Sequence, residues 1–208
     1  MPLEIRWHFI GTLQSNKAKT LACKFQLGTW RNSENSLLAI PNLYCIQTLT
    51  STKAAAALNK AIPTNRVAPL RVLLQVNTSG EDNKSGLPPL APSIDVASSE
   101  LCQLASYVIM ECPRLHLEGL MTIGSLEQSL AASEREKNAD FERLRGTRDI
   151  LKEYLIQKHA GVPWGQEITR NLVLSMGMSS DFEAALRAGA DIVRVGTGIF
   201  GQRPEKLI

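Results

Sequence analysis

The chain has 208 residues and a formal net charge of +3, and 44% of its residues are hydrophobic but only 5% are aromatic. This length fits one large domain or two small ones, with a mostly aliphatic core of the kind that buried parallel sheets have. The charged residues are interspersed without a basic block, which argues against nucleic acid as a partner. No apolar segment approaches the length of a membrane span, so no membrane partner is expected.

Apolar, strand-like runs alternate with helical patterns along most of the chain. This alternation predicts a parallel sheet whose strands are connected by helices. A doubly wound sheet and a (β/α) barrel both fit it. The six predicted strands lie within residues 6–10, 43–49, 72–77, 115–123, 172–175 and 192–195. The first predicted helix begins near Ser15, the second covers Thr52–Ala61, and the last follows Ser180. Between them, a third helix presents one apolar face, and a fourth, longer helix buries another. These faces comprise Leu101, Leu104, Ala105, Val108 and Ile109 in the third helix, and Phe141, Leu144, Leu151 and Leu155 in the fourth.

Local signals place several helix ends. Capping boxes are predicted at Ser133 with Glu136, ahead of a long charged helix, and at Ser180 with Glu183, ahead of the last one. Gly189 lies where a helix C-terminus favours a left-handed residue. Residues 23–38 show neither helical nor strand periodicity, so this segment is interpreted as an insertion between a helix and the next strand.

The cysteines and histidines indicate neither disulfides nor metal. Nothing at the start resembles a signal peptide, so reduced thiols in a cytoplasmic protein are expected, with a mitochondrial fraction as the alternative location. The histidines lack the spacing of metal ligands. These residues are Cys23, Cys45, Cys102 and Cys112, without a CxxC pair, and His8, His116 and His159.

The predicted strands end in amide and hydroxyl side chains, at the edge where parallel α/β folds bind ligands. Few acids or bases accompany them, so the set is better suited to holding an anionic small molecule than to converting one. The set comprises Gln14, Ser15, Asn16, Asn77, Thr78, Ser79, Thr122, Ser125, Ser175, Ser179, Gly196 and Thr197.

The last quarter of the chain is the clearest candidate site. One strand leads into the loop Ser175–Ser179, and the next leads into Gly196-Thr197-Gly198, whose backbone N–H groups can close on a phosphate. Arg194 shares a strand face with Ile192 and Gly196. On an interior face its cation needs an acceptor, which a ligand can supply. Pairing with a structural carboxylate, or exposure to solvent, is the alternative left open.

Several motifs resemble the pyridoxal phosphate homeostasis protein family. They are WHFIGTLQSNK at 7–17, NTSGEDNKSG at 77–86, LEGLMTIG at 117–124 and the last quarter of the chain, and they occur in the family's order. The resemblance implies the fold of the alanine racemase N-terminal domain, a (β/α)8 TIM barrel that binds pyridoxal 5′-phosphate (PLP). It also implies a non-catalytic carrier or buffer in vitamin B6 homeostasis that delivers PLP to PLP-dependent apoenzymes. A racemase-like enzyme and a non-binding remnant are the alternatives.

The resemblance also assigns site residues. It implies that Ser175 or Ser179 holds the phosphate together with Gly196 and Thr197, and that Arg194 faces the pyridine nitrogen. A cation there disfavours protonation of the ring, which makes the ring a poorer electron sink. The remaining residues assigned to PLP binding are Met176, Asn77 and His8, although a strand histidine and a methionine beside a loop are more often core residues.

The same resemblance predicts an incomplete barrel. The family's first two strand–helix units, which carry the lysine that forms a Schiff base with PLP, have no counterpart in this sequence. We therefore expect one partial barrel domain of about six units over residues 1–208, with an atypical insertion at 23–38, no catalytic residue and weakened, non-covalent PLP binding. The oligomeric state is left open.

Overall fold

The computed structural model describes residues 4–13, 18, 42–64, 66–92, 95–125, 137–166 and 168–202. The predicted helix near Ser15 and the insertion at 23–38 lie almost wholly outside these residues. Six strands form one sheet, namely β1 (Trp7–Phe9), β2 (Leu43–Leu49), β3 (Leu70–Gln75), β4 (Leu115–Met121), β5 (Val173–Met178) and β6 (Ile192–Arg194).

The order of the strands decides between the two predicted sheet types. Every neighbouring pair is parallel, and the order across the sheet, β1 to β6, is the order along the chain. A doubly wound sheet reverses its strand order at a switch point, whereas a barrel adds its strands in sequence. The fold is therefore of the barrel type.

Within the described residues, five α-helices and one short 3₁₀-helix accompany the sheet. The helix predicted over Thr52–Ala61 is confirmed at both ends, and the hydroxyl of Ser51 caps it by accepting from Ala54 N. The helices are α1 (Thr52–Ala61), α2 (Glu100–Glu111), α3 (Ala139–Lys158), α4 (Phe182–Arg187) and α5 (Thr197–Phe200), and the 3₁₀-helix is Val96–Ser98. No helix within the described residues is long and apolar enough to cross a membrane.

The main core lies between the helices and one face of the sheet. Alternate strand residues point to opposite faces, so each strand contributes a second set of side chains to the other face. That second face carries a smaller buried cluster of Cys45, Leu73 and Met121. The main core contains Ile46, Val72, Leu74, Leu117, Leu120 and Leu174 from the sheet, with Leu58, Leu104, Val108, Phe141, Leu144, Leu151 and Leu155 from the helices.

The three cysteines within the described residues, Cys45, Cys102 and Cys112, are free and buried. Burial raises the pKa of the Cys112 thiol to about 11 and that of Cys45 further. Thiolate is the reactive form of cysteine, so these side chains behave as small apolar core residues.

The sheet is strongly curled. Strands of a sheet lie about 4.8 Å apart, so β2 and β5, three intervals apart, would be separated by roughly 14 Å in a flat sheet. Instead, the Ser175 hydroxyl on β5 donates to Gln47 Oε1 on β2 at 2.7 Å. This contact requires the face that carries Cys45, Leu73 and Met121 to be concave. The six strands thus form a curled half-barrel, and the site described below lies on its concave face and at its strand ends.

Two predicted helix caps differ from the structure. α3 begins at Ala139, and its cap is the Asn138 side chain; Ser133 and Glu136 lie outside the described residues. The capping box of Ser180 with Glu183 is wrong, because Asp181 occupies the cap position of α4 without a side-chain cap bond to the helix. Its carboxylate instead accepts from Met178 N, at the end of β5. Gly189 has φ +89° just after α4, as predicted.

Replacing Asn138 by alanine is expected to lower the free energy of unfolding by about 1 kcal/mol. The Asn138 Oδ1 atom accepts from Asp140 N at 2.9 Å and from Phe141 N at 3.2 Å, and the residue is buried. Chemical denaturation of both proteins measures the loss. Asn138→Asp keeps the acceptor and serves as the control; equal stability of the alanine variant and the original chain would contradict the assignment.

Candidate functional site

Some of the predicted polar residues come together at the carboxyl ends of the strands, in two groups. Thr78, after β3, contacts Thr122, after β4, through their hydroxyl oxygens at 2.8 Å, and both side chains are buried. Ser179, after β5, contacts the loop after β6. Gln14, Ser15 and Asn16, which were predicted to follow β1, lie outside the described residues.

The loop after β6 forms a group of converging N–H donors. The hydroxyl oxygen of Ser179 accepts from Gly196 N at 2.9 Å and from Gly198 N at 3.4 Å. Gly196, Thr197 and Gly198 are exposed, and a Cβ atom added to Gly196 would meet nothing within 4 Å. Two backbone donors thus point at one oxygen at an open strand end, which is the arrangement that an anion's oxygen requires.

Arg194 extends from β6 onto the concave face. Its Nη1 donates to Ser175 Oγ at 3.0 Å and its Nη2 to the Thr122 carbonyl oxygen at 2.8 Å. Burial lowers the pKa of Arg194, and the Asp181 carboxylate opposes this effect. Arginine is so basic that the guanidinium stays charged. The side chain is therefore a partly desolvated cation held by a hydroxyl and a carbonyl, and it does not simply point into solvent.

Ser175 and Ser179, the two phosphate candidates, have different surroundings. Ser175 is fully buried, donates to Gln47 and accepts from Arg194, so its hydroxyl is engaged inside the concave face. Ser179 is the serine that contacts the glycine loop. The placement favours Ser179 for an anion at the strand ends and gives Ser175 a part in holding Arg194.

A polar side chain that the sequence did not single out connects this network to β1. Gln47 is buried on β2, and its Nε2 lies 2.7 Å from His8 Nδ1. Burial lowers the pKa of His8, which favours the neutral ring and lets Nδ1 accept from the amide. An amide inside the apolar run of residues 43–49 carries no local signal of function, so the sequence alone could not identify it.

The side chains of Asn77 and Met176 contact the protein itself, in a loop and in the main core. The Asn77 side chain accepts from Ser79 Oγ and Gly80 N and donates to the Glu81 carbonyl oxygen, which organises the loop after β3. Met176 is fully buried in the main core, on the helix side of the sheet. A contact between Met176 and a ligand on the concave face would therefore use backbone atoms. Their roles in binding PLP stay predictions.

A cavity of about 250 Å³ lies at the ends of the first four strands, lined by Ile10, Thr12, Thr48, Gln75, Lys84 and Ile123, among others. Lys84 Nζ donates to the Gly124 carbonyl oxygen and pairs with Glu81. The strand-end edge thus offers a partly open cavity as well as the exposed glycine loop. No cluster of three potential metal ligands occurs within the described residues.

The folding stability is expected to fall as the pH drops below about 6.5, the ordinary histidine value. Burial lowers the pKa of His8 and of His159, so the unfolded chain takes up protons that the folded chain resists. Thermal unfolding midpoints between about pH 8 and about pH 5 measure this loss. A His8→Gln variant, which cannot titrate at this position, should lose less stability across the same range; an unchanged pH dependence would contradict the role assigned to His8.

Comparison with known proteins identifies the family. The model of the alanine racemase N-terminal domain matches residues 17–204, nearly the whole chain. The chain belongs to this family. The curled parallel sheet with sequential strand order is consistent with the fold of this family.

Curated relatives and solved structures agree with this assignment. The chain is 39% identical over 204 residues to the pyridoxal phosphate homeostasis protein of Schizosaccharomyces pombe, covering 98% of this chain and 68% of the relative. It is 36% identical over 202 residues to the Homo sapiens protein of that name, covering 96% and 59%. The structure of PipY of Synechococcus elongatus with PLP bound, 24% identical with a TM-score of 0.60, has the same fold and covers 95% of this chain and 71% of that chain. The chain thus spans about three fifths to seven tenths of these proteins.

Proposed function

We propose that this chain binds PLP and acts without catalysis, as a carrier or buffer in the homeostasis of this cofactor. The observation that carries the proposal is the convergence of Gly196 N and Gly198 N beside Ser179, with the Arg194 cation on the adjoining concave face. The names of the relatives support the choice of PLP among anionic ligands. The donors of this site fit the group, because PLP combines a phosphate with a pyridine nitrogen that can accept a hydrogen bond.

Each part of the site has a separate task in this proposal. The glycine loop and Ser179 hold the phosphate, since backbone N–H groups and a hydroxyl are its usual neutral donors. Arg194 would donate to the ring nitrogen. PLP stabilises carbanions when its ring nitrogen is protonated, and a fixed cation disfavours that protonation. The site therefore suits storage of PLP better than turnover of an amino acid.

A titration of the purified chain with PLP, followed by the absorbance of the cofactor and by equilibrium dialysis, tests the binding. We expect saturation at one PLP per chain and competition by inorganic phosphate, but much weaker binding of pyridoxal, which lacks the phosphate. Absence of saturable binding would overturn the proposal for this chain.

Two further assays separate the carrier from an enzyme. The PLP-loaded chain should restore activity to a PLP-dependent apoenzyme, because the proposed contacts are reversible hydrogen bonds. It should not interconvert L- and D-alanine. Measurable racemisation would replace the carrier with a racemase-like enzyme, the alternative that shares this fold.

A further inference from the structure

A chain of hydrogen bonds crosses the concave face from β6 to β1. It runs from Arg194 to Ser175 at 3.0 Å, from Ser175 to Gln47 at 2.7 Å, and from Gln47 to His8 at 2.7 Å. Ser175 and Gln47 are 0% and 1% exposed. Water therefore cannot readily replace a missing partner, and each donor and acceptor in the chain must be matched by its neighbours.

The direction of these bonds follows from the chemistry of the two ends. A guanidinium has only donors, so Ser175 Oγ must accept from Arg194. The single hydroxyl proton of Ser175 then goes to Gln47 Oε1, and the amide NH₂ of Gln47 faces His8 Nδ1. A neutral His8 completes the series as an acceptor. Every donor thus points away from Arg194, and the Gln47 amide holds this order because it offers an acceptor on one side and a donor on the other.

We propose that Gln47 is a positioning residue of the PLP site: its amide fixes Ser175 as an acceptor and thereby holds the Arg194 guanidinium in place on the concave face. The inference rests on the proposed function, since it concerns a residue that acts through Arg194 on the bound ring. Gln47 itself need not touch the ligand. Its hydrogen bonds to His8 and Ser175 connect β1 and β2 with β5.

The test is a double-mutant cycle on PLP affinity in the full chain, with the variants Gln47→Leu and Arg194→Met. Gln47→Leu, which has a similar volume but no polar atoms, is expected to weaken PLP binding about ten-fold, because the charged hydrogen bond from Arg194 to Ser175 is then no longer held in place. The double variant should bind PLP no more weakly than Arg194→Met alone, because Gln47 acts through Arg194. Additive losses, or an unchanged affinity of Gln47→Leu, would overturn the proposal.

The matched control is Gln75→Leu. Gln75 is another buried strand glutamine, on β3, and its Nε2 donates to the Ser85 carbonyl oxygen at 2.7 Å, a bond that is not part of the chain from Arg194 to His8. Its effect on PLP affinity should add to that of Arg194→Met. If Gln47→Leu weakened PLP binding only by destabilising the fold, its loss of affinity would add to that of Arg194→Met, as the loss in Gln75→Leu does. That outcome would also overturn the proposal.

Gln47→Glu provides a second, shape-conserving variant. One carboxylate oxygen still accepts from Ser175, so at least half of the lost PLP affinity should return, while the other oxygen now faces His8 and should raise the pKa of that ring in an NMR titration. Loss of affinity equal to that of Gln47→Leu would contradict a role through Ser175. If the unmodified chain binds no PLP, the proposed function fails; if it binds and the cycle is additive, only the role of Gln47 fails.

Discussion

A Gly119→Ala variant is expected to lose about 3 kcal/mol or more of folding stability, at or above the upper end of the usual cost of overpacking. An ideal Cβ atom at Gly119 would lie 2.0 Å from the carbonyl oxygen of Val173, 2.6 Å from its nitrogen and 2.7 Å from its carbonyl carbon. All three are backbone atoms. Gly119 is paired with Val173 in the ladder between β4 and β5, so neither strand can move away without losing that pairing.

Urea denaturation measures this effect, with Gly146→Ala as the matched control. Gly146 lies inside α3, is exposed, and has nothing within 4 Å of an added Cβ atom. Alanine is a better helix former, so this control should gain about 0.5–1 kcal/mol. The same substitution is thus expected to have opposite signs at two sites. A Gly119→Ala protein as stable as the original would show that β4 and β5 do not approach each other so closely.

An Arg194→Met variant is expected to bind PLP about ten- to a hundred-fold more weakly, the range for a hydrogen bond to a charged group. The substitution removes the cation that lies on the concave face and that we place at the ring nitrogen. It also frees Ser175 Oγ and the Thr122 carbonyl oxygen. Arg194→Lys keeps the charge but loses the planar pair of N–H donors, and its PLP affinity should lie between those of the original chain and Arg194→Met.

Arg187→Met is the control for the loss of an arginine near the site. Arg187, on α4, is about half exposed and lies 4.0 Å from Glu183. Exposed pairs of this kind contribute little, so its PLP affinity should stay within about two-fold of the original. Equilibrium dialysis of the three variants measures the series. Equal affinities for Arg194→Met and Arg187→Met would remove Arg194 from the proposed site.

The elements that the sequence predicts well are those with local causes. Residues 43–49 and 52–61 are confirmed as β2 and α1, because a mostly apolar run is followed closely by a serine cap and an alanine-rich helix. The strand order is different. The choice between a doubly wound sheet and a barrel depends on which strands pair, and local periodicity contains no information on pairing.

The errors also have physical reasons. Ser180 and Glu183 have the spacing of a capping box, but Asp181 takes the cap position. The Asp181 carboxylate accepts from Met178 N, three residues earlier in the chain, and not from the helix. Tertiary context thus overrides a local motif. Strand alternation placed Arg194 on one face with Ile192 and Gly196 but left open whether that face is interior. Its position on the concave face, like the contact of Gln47 with Ser175, follows only from the curled sheet.

The bond between Gln47 and Ser175 joins residues 128 positions apart. Contacts of such long sequence separation form slowly, since a large loop must close before they contribute any stabilisation. The geometry around Arg194 therefore needs strands from distant parts of the chain, and no fragment that lacks β2 or β6 contains it. During refolding, helical circular dichroism should recover first, and the capacity to bind a ligand should be acquired last.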